Sequence, residues 1–164
     1  CEASQNKHLY DIVFLALSTG MRASEILNLK WNDIDLEKGT IILHQTKNNE
    51  RRAVPLTGKA LEMLRKKKDE KTLSLLLFPG SRGNAPIDIR ASWVTALKRA
   101  GIENFRFHDL RHDFASNLLA QGASIAQLAE VLGHKTLQMV KRYSHLSEGV
   151  ARDIVSKMTN ELFG

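Results

Sequence analysis

Leu9, Ile12, Val13, Ala16 and Leu17 recur three and four residues apart, which places them along one side of a helix. Gly20 stops that helix, and a second, short one is expected over residues 22–29. The period then changes. The stretches 31–36 and 40–44 read as two short strands joined by the turn Glu37-Lys38-Gly39. Lys47-Asn48-Asn49-Glu50 makes a second turn, and 51–56 a third strand. Pro55 must end that strand or lie on a sheet edge, because it has no N–H to give to a ladder. Thr57 stands where it could cap a helix running through Leu61 and Leu64 into the basic run 65–68.

Residues 72–87 hold Pro79, Gly80, Gly83 and Pro86 and read mostly as loop. Helical patterning fills the remainder. One helix is expected over 88–100, ended by Gly101. A second begins near His108 and ends at Gly122, with Leu110, Phe114 and Leu118 inward. A third runs from Ser124 as N-cap to Gly133, and a fourth from about Thr136 towards Tyr143. The last covers about 147–162, with Val150, Ile154 and Met158 four apart. There is no internal repeat. The expected fold class is α+β and mainly helical, a helical bundle with a small three-stranded antiparallel sheet near the N-terminal third.

Composition narrows the setting. A length of 164 residues suits one domain, and 43% hydrophobic residues suffice for a core. The net charge of +6 and pI near 9.6 favour a polyanionic partner such as nucleic acid. A single cysteine, Cys1, excludes an internal disulfide framework and suits a reducing compartment, so a cytoplasmic location is expected. No apolar run is long enough to span a bilayer, and no membrane partner is expected. The chain opens on Cys1 rather than methionine, which suggests a fragment of a longer protein.

The candidate chemistry lies mostly in the last third. His108 and Arg111 are three apart at an expected helix start. There, free N–H groups and the helix dipole favour an anion, and an arginine can hold two phosphate oxygens at once. The alternative is structural: Arg111 pairs with Asp109 or Asp113, and His108 caps the helix. His108 and His112 are four apart and could face one zinc ion. However, Asp109 stands where the zinc-hydrolase pattern has glutamate, and no third ligand is apparent. No metal or cofactor is therefore expected. Tyr143 follows His134 by nine positions. A phenol acts as a nucleophile only beside cations and a base, and a tyrosine in this position could equally be an ordinary packing residue. Arg22 follows Thr19-Gly20-Met21, with Glu25 three residues on to orient it or merely to form a surface ion pair. Lys47 lies at a hairpin tip, either reaching outward to a ligand or simply solvated. Lys66, Lys67 and Lys68 read as a solvated helix end first and a phosphate contact second.

Taken together, these residues resemble the catalytic domain of the tyrosine recombinases, the phage-integrase family. The matching pieces are Thr19-Gly20-Met21-Arg22-Ala23-Ser24-Glu25-Ile26, Thr46-Lys47 with Arg52-Ala53-Val54-Pro55-Leu56, Phe107-His108-Asp109-Leu110-Arg111-His112, and Leu132-Gly133-His134 with Arg142-Tyr143-Ser144-His145. They follow the family's order across nearly the whole chain. Asp113 departs from it, standing where a small hydroxyl residue is common.

The resemblance implies a role for each position. Tyr143 would attack a DNA phosphodiester and form a 3′-phosphotyrosyl bond. Arg22 and Arg111 would hold the non-bridging oxygens and stabilise the charge of the transition state. His134 would add a hydrogen bond to the phosphate, and His108 would assist proton transfer to and from the tyrosine. Lys47 would protonate the departing 5′-oxygen, and Glu25 would support Arg22. The covalent link conserves bond energy, so neither a metal nor ATP is needed. The partner would be double-stranded DNA at a specific recombination site. The full-length protein would work as a tetramer on two duplexes, and the isolated fragment would be a monomer, in a bacterial or phage-encoded setting. An N-terminal DNA-binding domain would be missing. The C-terminal helix would pack either on a neighbouring protomer or on its own domain.

Two relatives of this reading stand beside it. A type IB topoisomerase would use similar chemistry to relax supercoils, and a non-catalytic DNA-binding module would need no special Tyr143 or Lys47. A metal-dependent nuclease is a third, more distant alternative.

Overall fold

The computed structural model describes residues 6–44, 51–70, 74–134, 136, 138 and 140–163. The chain divides into two compact units, Cys1–Arg111 and His112–Gly164. Its class is the expected one, mainly helical with one small antiparallel sheet. Among the described residues, no helix is long and apolar enough to cross a membrane.

The first unit begins with α1 (Leu9–Thr19) and the short α2 (Ala23–Leu27). Apolar residues surround α1, so its pattern does not select a face. Leu9, Ile12, Leu15, Ala16 and Thr19 turn inward, whereas Leu17, expected inside, is 41% exposed. Thr19 is tolerated there because its hydroxyl donates to the Leu15 carbonyl at 2.5 Å and accepts from the Met21 N–H at 3.3 Å. The expected first strand is shorter than its pattern. Trp31–Asp33 forms a 3-10 turn, since the Asp33 carboxylate accepts the Lys30 N–H at 2.9 Å and winds the chain.

The sheet comprises β1 (Ile34–Asp35), β2 (Thr40–Leu43) and β3 (Arg52–Pro55), in the order β1-β2-β3. Pro55 therefore both ends its strand and sits on an edge. Ile41 pairs with Ile34 on one side and Val54 on the other, and Leu43 pairs with Arg52. Ile41, Leu43, Val54 and Leu56 face the core, and Arg52 shares their phase. The turn before β2 uses Gly39 at φ 61°, whose carbonyl accepts the Leu56 N–H at 2.8 Å.

Next comes α3 (Gly58–Asp69), which buries Ala60 and Leu64. Thr57 occupies its N-cap position but makes no side-chain cap bond. The loop after α3 is less passive than its composition suggests. Leu77 and Phe78 are fully buried, and Leu77 N–H donates to the Leu29 carbonyl. α4 (Arg90–Ala100) follows and ends at Gly101. Asp88 lies before it and accepts the Arg90 N–H.

α5 (Asp109–Ala120) carries the chain from one unit into the other. In the second unit Ala115 and Leu119 are fully buried, while Phe114 and Leu118, expected inward, are only partly so. α6 (Ile125–Leu132) opens on a capping box between Ser124 and Gln127 and ends at Gly133. None of the described residues in the expected helix from Thr136 to Tyr143 is α-helical. Lys141–Tyr143 is a 3-10 turn, in which Tyr143 N–H donates to the Val140 carbonyl. The three-residue period of that turn brings Val140 and Tyr143 to one buried side. α7 (Ser144–Phe163) starts directly afterwards, three residues before the expected start. Ile154 and Met158 of its expected apolar row are 56% and 49% exposed.

Candidate active site

The first unit gathers guanidinium groups around the end of α1. Gly20 is the C-cap of α1, and Arg22, two residues on, is the N-cap of α2. Arg111, only 4% exposed, returns from the far end of the unit, and its Nη1 donates to the Gly20 carbonyl at 2.6 Å. Asp109, a partner considered for Arg111 from sequence, accepts from the Arg106 N–H at 2.7 Å and from its Nη2 at 3.1 Å.

Glu25 fixes Arg22 twice. Its carboxylate accepts the Arg22 backbone N–H at 2.8 Å and Arg22 Nη1 at 2.7 Å. The pair is no surface decoration, since the Glu25 side chain is 8% exposed. The same carboxylate accepts from Arg52 Nη2 at 2.9 Å. Burial lowers the pKa of Arg52 from its ordinary value, with Glu25 opposing the shift and Arg22 adding to it. An open cleft of about 1110 Å³ adjoins this cluster, lined among others by Arg22, Ser24, Asn28, Lys30 and His44. Lys47 lies outside the described residues.

His108 occupies the turn just before α5, where its carbonyl accepts the Arg111 N–H at 3.1 Å. Its side chain is exposed, whereas Arg111 is buried.

The second unit holds Tyr143, His134 and His112. Tyr143 is 7% exposed, in a cluster with Ala115, Leu119, Leu128, Leu132 and Val140. Its Oη is hydrogen-bonded to His112 Nδ1, with the ring centroids 5.9 Å apart. His134 follows the Gly133 cap of α6, and its N–H donates to the Ala129 carbonyl at 2.8 Å. It is half-buried.

Residues 1–149 match the phage integrase family. The chain belongs to that family. It is 38% identical over 152 residues to the integrase of Salmonella phage P22, a match covering 85% of this chain and 39% of that protein. It is 37% identical over 160 residues to a shufflon-specific DNA recombinase of Escherichia coli, covering 94% of this chain and 38% of the relative. The chain thus spans about two fifths of the length of these curated relatives. Among solved structures it resembles the catalytic domain of bacteriophage HP1 integrase. The TM-score is 0.73 and the identity 31%, covering 95% of this chain and 85% of that one.

Two polar residues of this phage integrase family member escaped the sequence reading as site components. The sequence places both in the family motifs without a role of their own, His112 being a candidate only for zinc. A signal for both was present. Arg52 stands in phase with Val54 and Leu56 on β3, and His112 lies three and seven residues before Ala115 and Leu119 on α5. A polar side chain in core phase must find a partner; Arg52 meets Glu25 and His112 meets Tyr143.

Proposed function

We propose that residues 1–164 act as the catalytic domain of a site-specific DNA recombinase that cuts and rejoins strands through a covalent 3′-phosphotyrosyl link. One observation carries this reading. Arg22 and Arg111 come from motifs at opposite ends of the first unit, yet both are anchored at the end of α1, Arg111 by a 2.6 Å bond spanning 91 positions. Two guanidiniums so placed suit the non-bridging oxygens of one phosphodiester. The relatives' names, integrase and DNA recombinase, support the same class.

In this reading Tyr143 attacks the phosphorus, and Arg22 and Arg111 balance the charge that builds on the oxygens. Glu25 holds Arg22, His134 hydrogen-bonds the phosphate, His108 assists proton transfer, and Lys47 protonates the leaving 5′-oxygen. Double-stranded DNA lies along the cleft lined by Arg22, Lys30 and His44. No metal or cofactor enters the reaction. The assembly is a tetramer on two duplexes, and the exposed Ile154, Val155, Met158, Leu162 and Phe163 of α7 suit a contact between protomers.

The test is covalent capture. A randomised pool of nicked duplexes, each losing a short 5′-hydroxyl fragment once cut, traps the protein on any strand it cleaves. The expected result is an SDS-resistant adduct that is enriched for particular sequences and absent with Tyr143→Phe. An adduct that persists with Tyr143→Phe, or no adduct from any member of the pool, overturns the reading.

A further inference from the structure

A free phenol titrates near 10, and in its neutral form it is a poor nucleophile that must shed a proton as it attacks. Tyr143 is 7% exposed, so little of it meets bulk water. His112 Nδ1 is a titratable atom in contact with its hydroxyl. The contact is built into the second unit. His112 shares a helix with Ala115 and Leu119, and all three belong to the face that packs around the tyrosine.

We propose that His112 takes the phenolic proton of Tyr143 during strand cleavage and returns it during resealing. This rests on the reading of Tyr143 as nucleophile. A neutral imidazole with its hydrogen on Nε2 presents Nδ1 as an acceptor. The Oη–H bond breaks and its proton moves to Nδ1. The Oη–P bond forms, the bond from phosphorus to the 5′-oxygen breaks, and that oxygen takes its proton from Lys47. Resealing reverses each step, and nothing is oxidised or reduced. The family resemblance gives proton traffic at the tyrosine to His108. That step at the tyrosine falls instead to His112, whose Nδ1 contacts the hydroxyl and which belongs to the tyrosine's own unit.

The test uses a duplex recovered from the captured pool and follows adduct formation in a single turnover. His112→Ala should slow it about 10²–10⁴-fold, the usual contribution of a positioned acid or base. His112→Asn, which keeps a hydrogen-bond acceptor near the Nδ1 position but cannot hold the proton, should stay slow. It also serves as the informative variant if His112→Ala fails to fold. Difluorotyrosine at position 143 ionises more readily. It should recover at least about tenfold of the loss in both His112 variants, because an acidified phenol depends less on a base, and it should bring no such recovery in His108→Ala.

The possible failures are distinct. If Tyr143→Phe still forms the adduct, the nucleophile assignment falls and this proposal falls with it. If Tyr143→Phe is inactive but both His112 variants stay within about threefold of the parent, far less than a base contributes, the proposal alone is overturned. Full activity in His112→Asn would leave His112 a hydrogen-bonding role only. Fluorotyrosine recovery confined to His108→Ala would assign the proton to that residue instead. Either result overturns the proposal.

Discussion

Replacing Glu25 by glutamine tests the cation cluster most directly. The carboxylate accepts Arg22 Nη1 on Oε1, and both the Arg22 backbone N–H and Arg52 Nη2 on Oε2. Glutamine has one acceptor oxygen. Placed at the Oε2 position it keeps two of these bonds, but its NH₂ group then faces the Arg22 guanidinium, donor against donor. One charge-assisted bond is lost, worth about 2 kcal/mol, and the bond to Arg52 falls to neutral-acceptor strength, losing about 1 kcal/mol more. The sum of about 3 kcal/mol agrees with the cost of removing one partner from a buried ion pair. It is not larger because Arg22, at 28% side-chain exposure, can turn to water.

The assay is urea unfolding followed by tryptophan fluorescence. Trp31 and Trp93, the two tryptophans of the chain, both lie in the unit that holds Glu25. With a slope of about 2 kcal/mol per molar urea, the midpoint should fall by about 1.5 M. Arg52→Met in the Glu25→Gln background should cost at least about 1 kcal/mol less than in the parent, because contacting residues couple. A midpoint within about 0.3 M of the parent, or costs that add to within about 0.5 kcal/mol, would refute the shared-carboxylate account.

Two other changes probe the same unit. Gly39 and Gly58 both have positive φ, 61° and 53°, but a Cβ on Gly39 would come within 2.6 Å of the Leu56 carbonyl oxygen, whereas one on Gly58 would meet nothing within 4 Å. Gly58→Ala should therefore cost only the left-handed strain of about 1–2 kcal/mol, and Gly39→Ala about 1–2 kcal/mol more as the Leu56–Gly39 bond is pushed apart. Equal losses in urea unfolding would contradict the steric argument. His8 gives a pH test. It is buried, and its Nδ1 accepts from Lys67 Nζ, which also pairs with Asp11. Burial first, then Lys67 and Lys7, lower its pKa, against the pull of Asp11 and Glu70. A base whose folded pKa is depressed contributes its full stability above the unfolded value of about 6.5 and loses it as pH falls towards the folded pKa. Between about pH 7.5 and about pH 5.5, across the ordinary histidine range, the parent should lose more stability than His8→Gln. An equal loss in the two proteins would show that His8 does not contribute to the acid sensitivity.

The helix-and-sheet plan and the local placement of Arg22, Glu25, Arg111 and His134 beside helix ends were legible because periodicity, turn residues and local motifs are properties of neighbouring residues. What escaped the reading depends on contacts distant in sequence, or on competition between side chain and backbone. In α1 apolar residues occur on every side, so only packing decides that Leu15 turns in and Leu17 out. At Trp31–Asp33 a strand-like composition yields to one carboxylate that caps the Lys30 N–H. Before α7 the spacing suggested a helix ending at Tyr143, but the described residues show a 3-10 turn that brings Val140 and Tyr143 inward together. The partners of Arg52 and His112 lie 27 and 31 positions away, beyond what a local pattern can state.

The same pair of residues shows how the fold positions its chemistry. A buried Arg–Glu pair gives little stability over apolar side chains of similar size, so packing alone does not explain Arg52. Its effect is on Glu25. With Arg52 on one side, the carboxylate is held in place while 8% exposed, and it engages the Arg22 guanidinium through Nη1. Glu25 takes one of the five guanidinium N–H donors of Arg22, and one carboxylate cannot neutralise two guanidiniums. The cluster therefore keeps Arg22 oriented with donors to spare, as an anion site requires, before any ligand arrives. His112 is placed by the same logic. It is a polar residue in core phase whose partner is the hydroxyl of Tyr143. In both units a polar residue in core phase holds a candidate reactive group, Arg52 acting through Glu25 and His112 directly. The double variant Arg52→Met, Glu25→Leu distinguishes these roles in the first unit. It should still fold, since well-packed apolar side chains can replace the buried Arg52–Glu25 pair, with a loss of about 2 kcal/mol for the bond from Arg22 Nη1, and it should lose the fixed Arg22 and with it the capture of DNA.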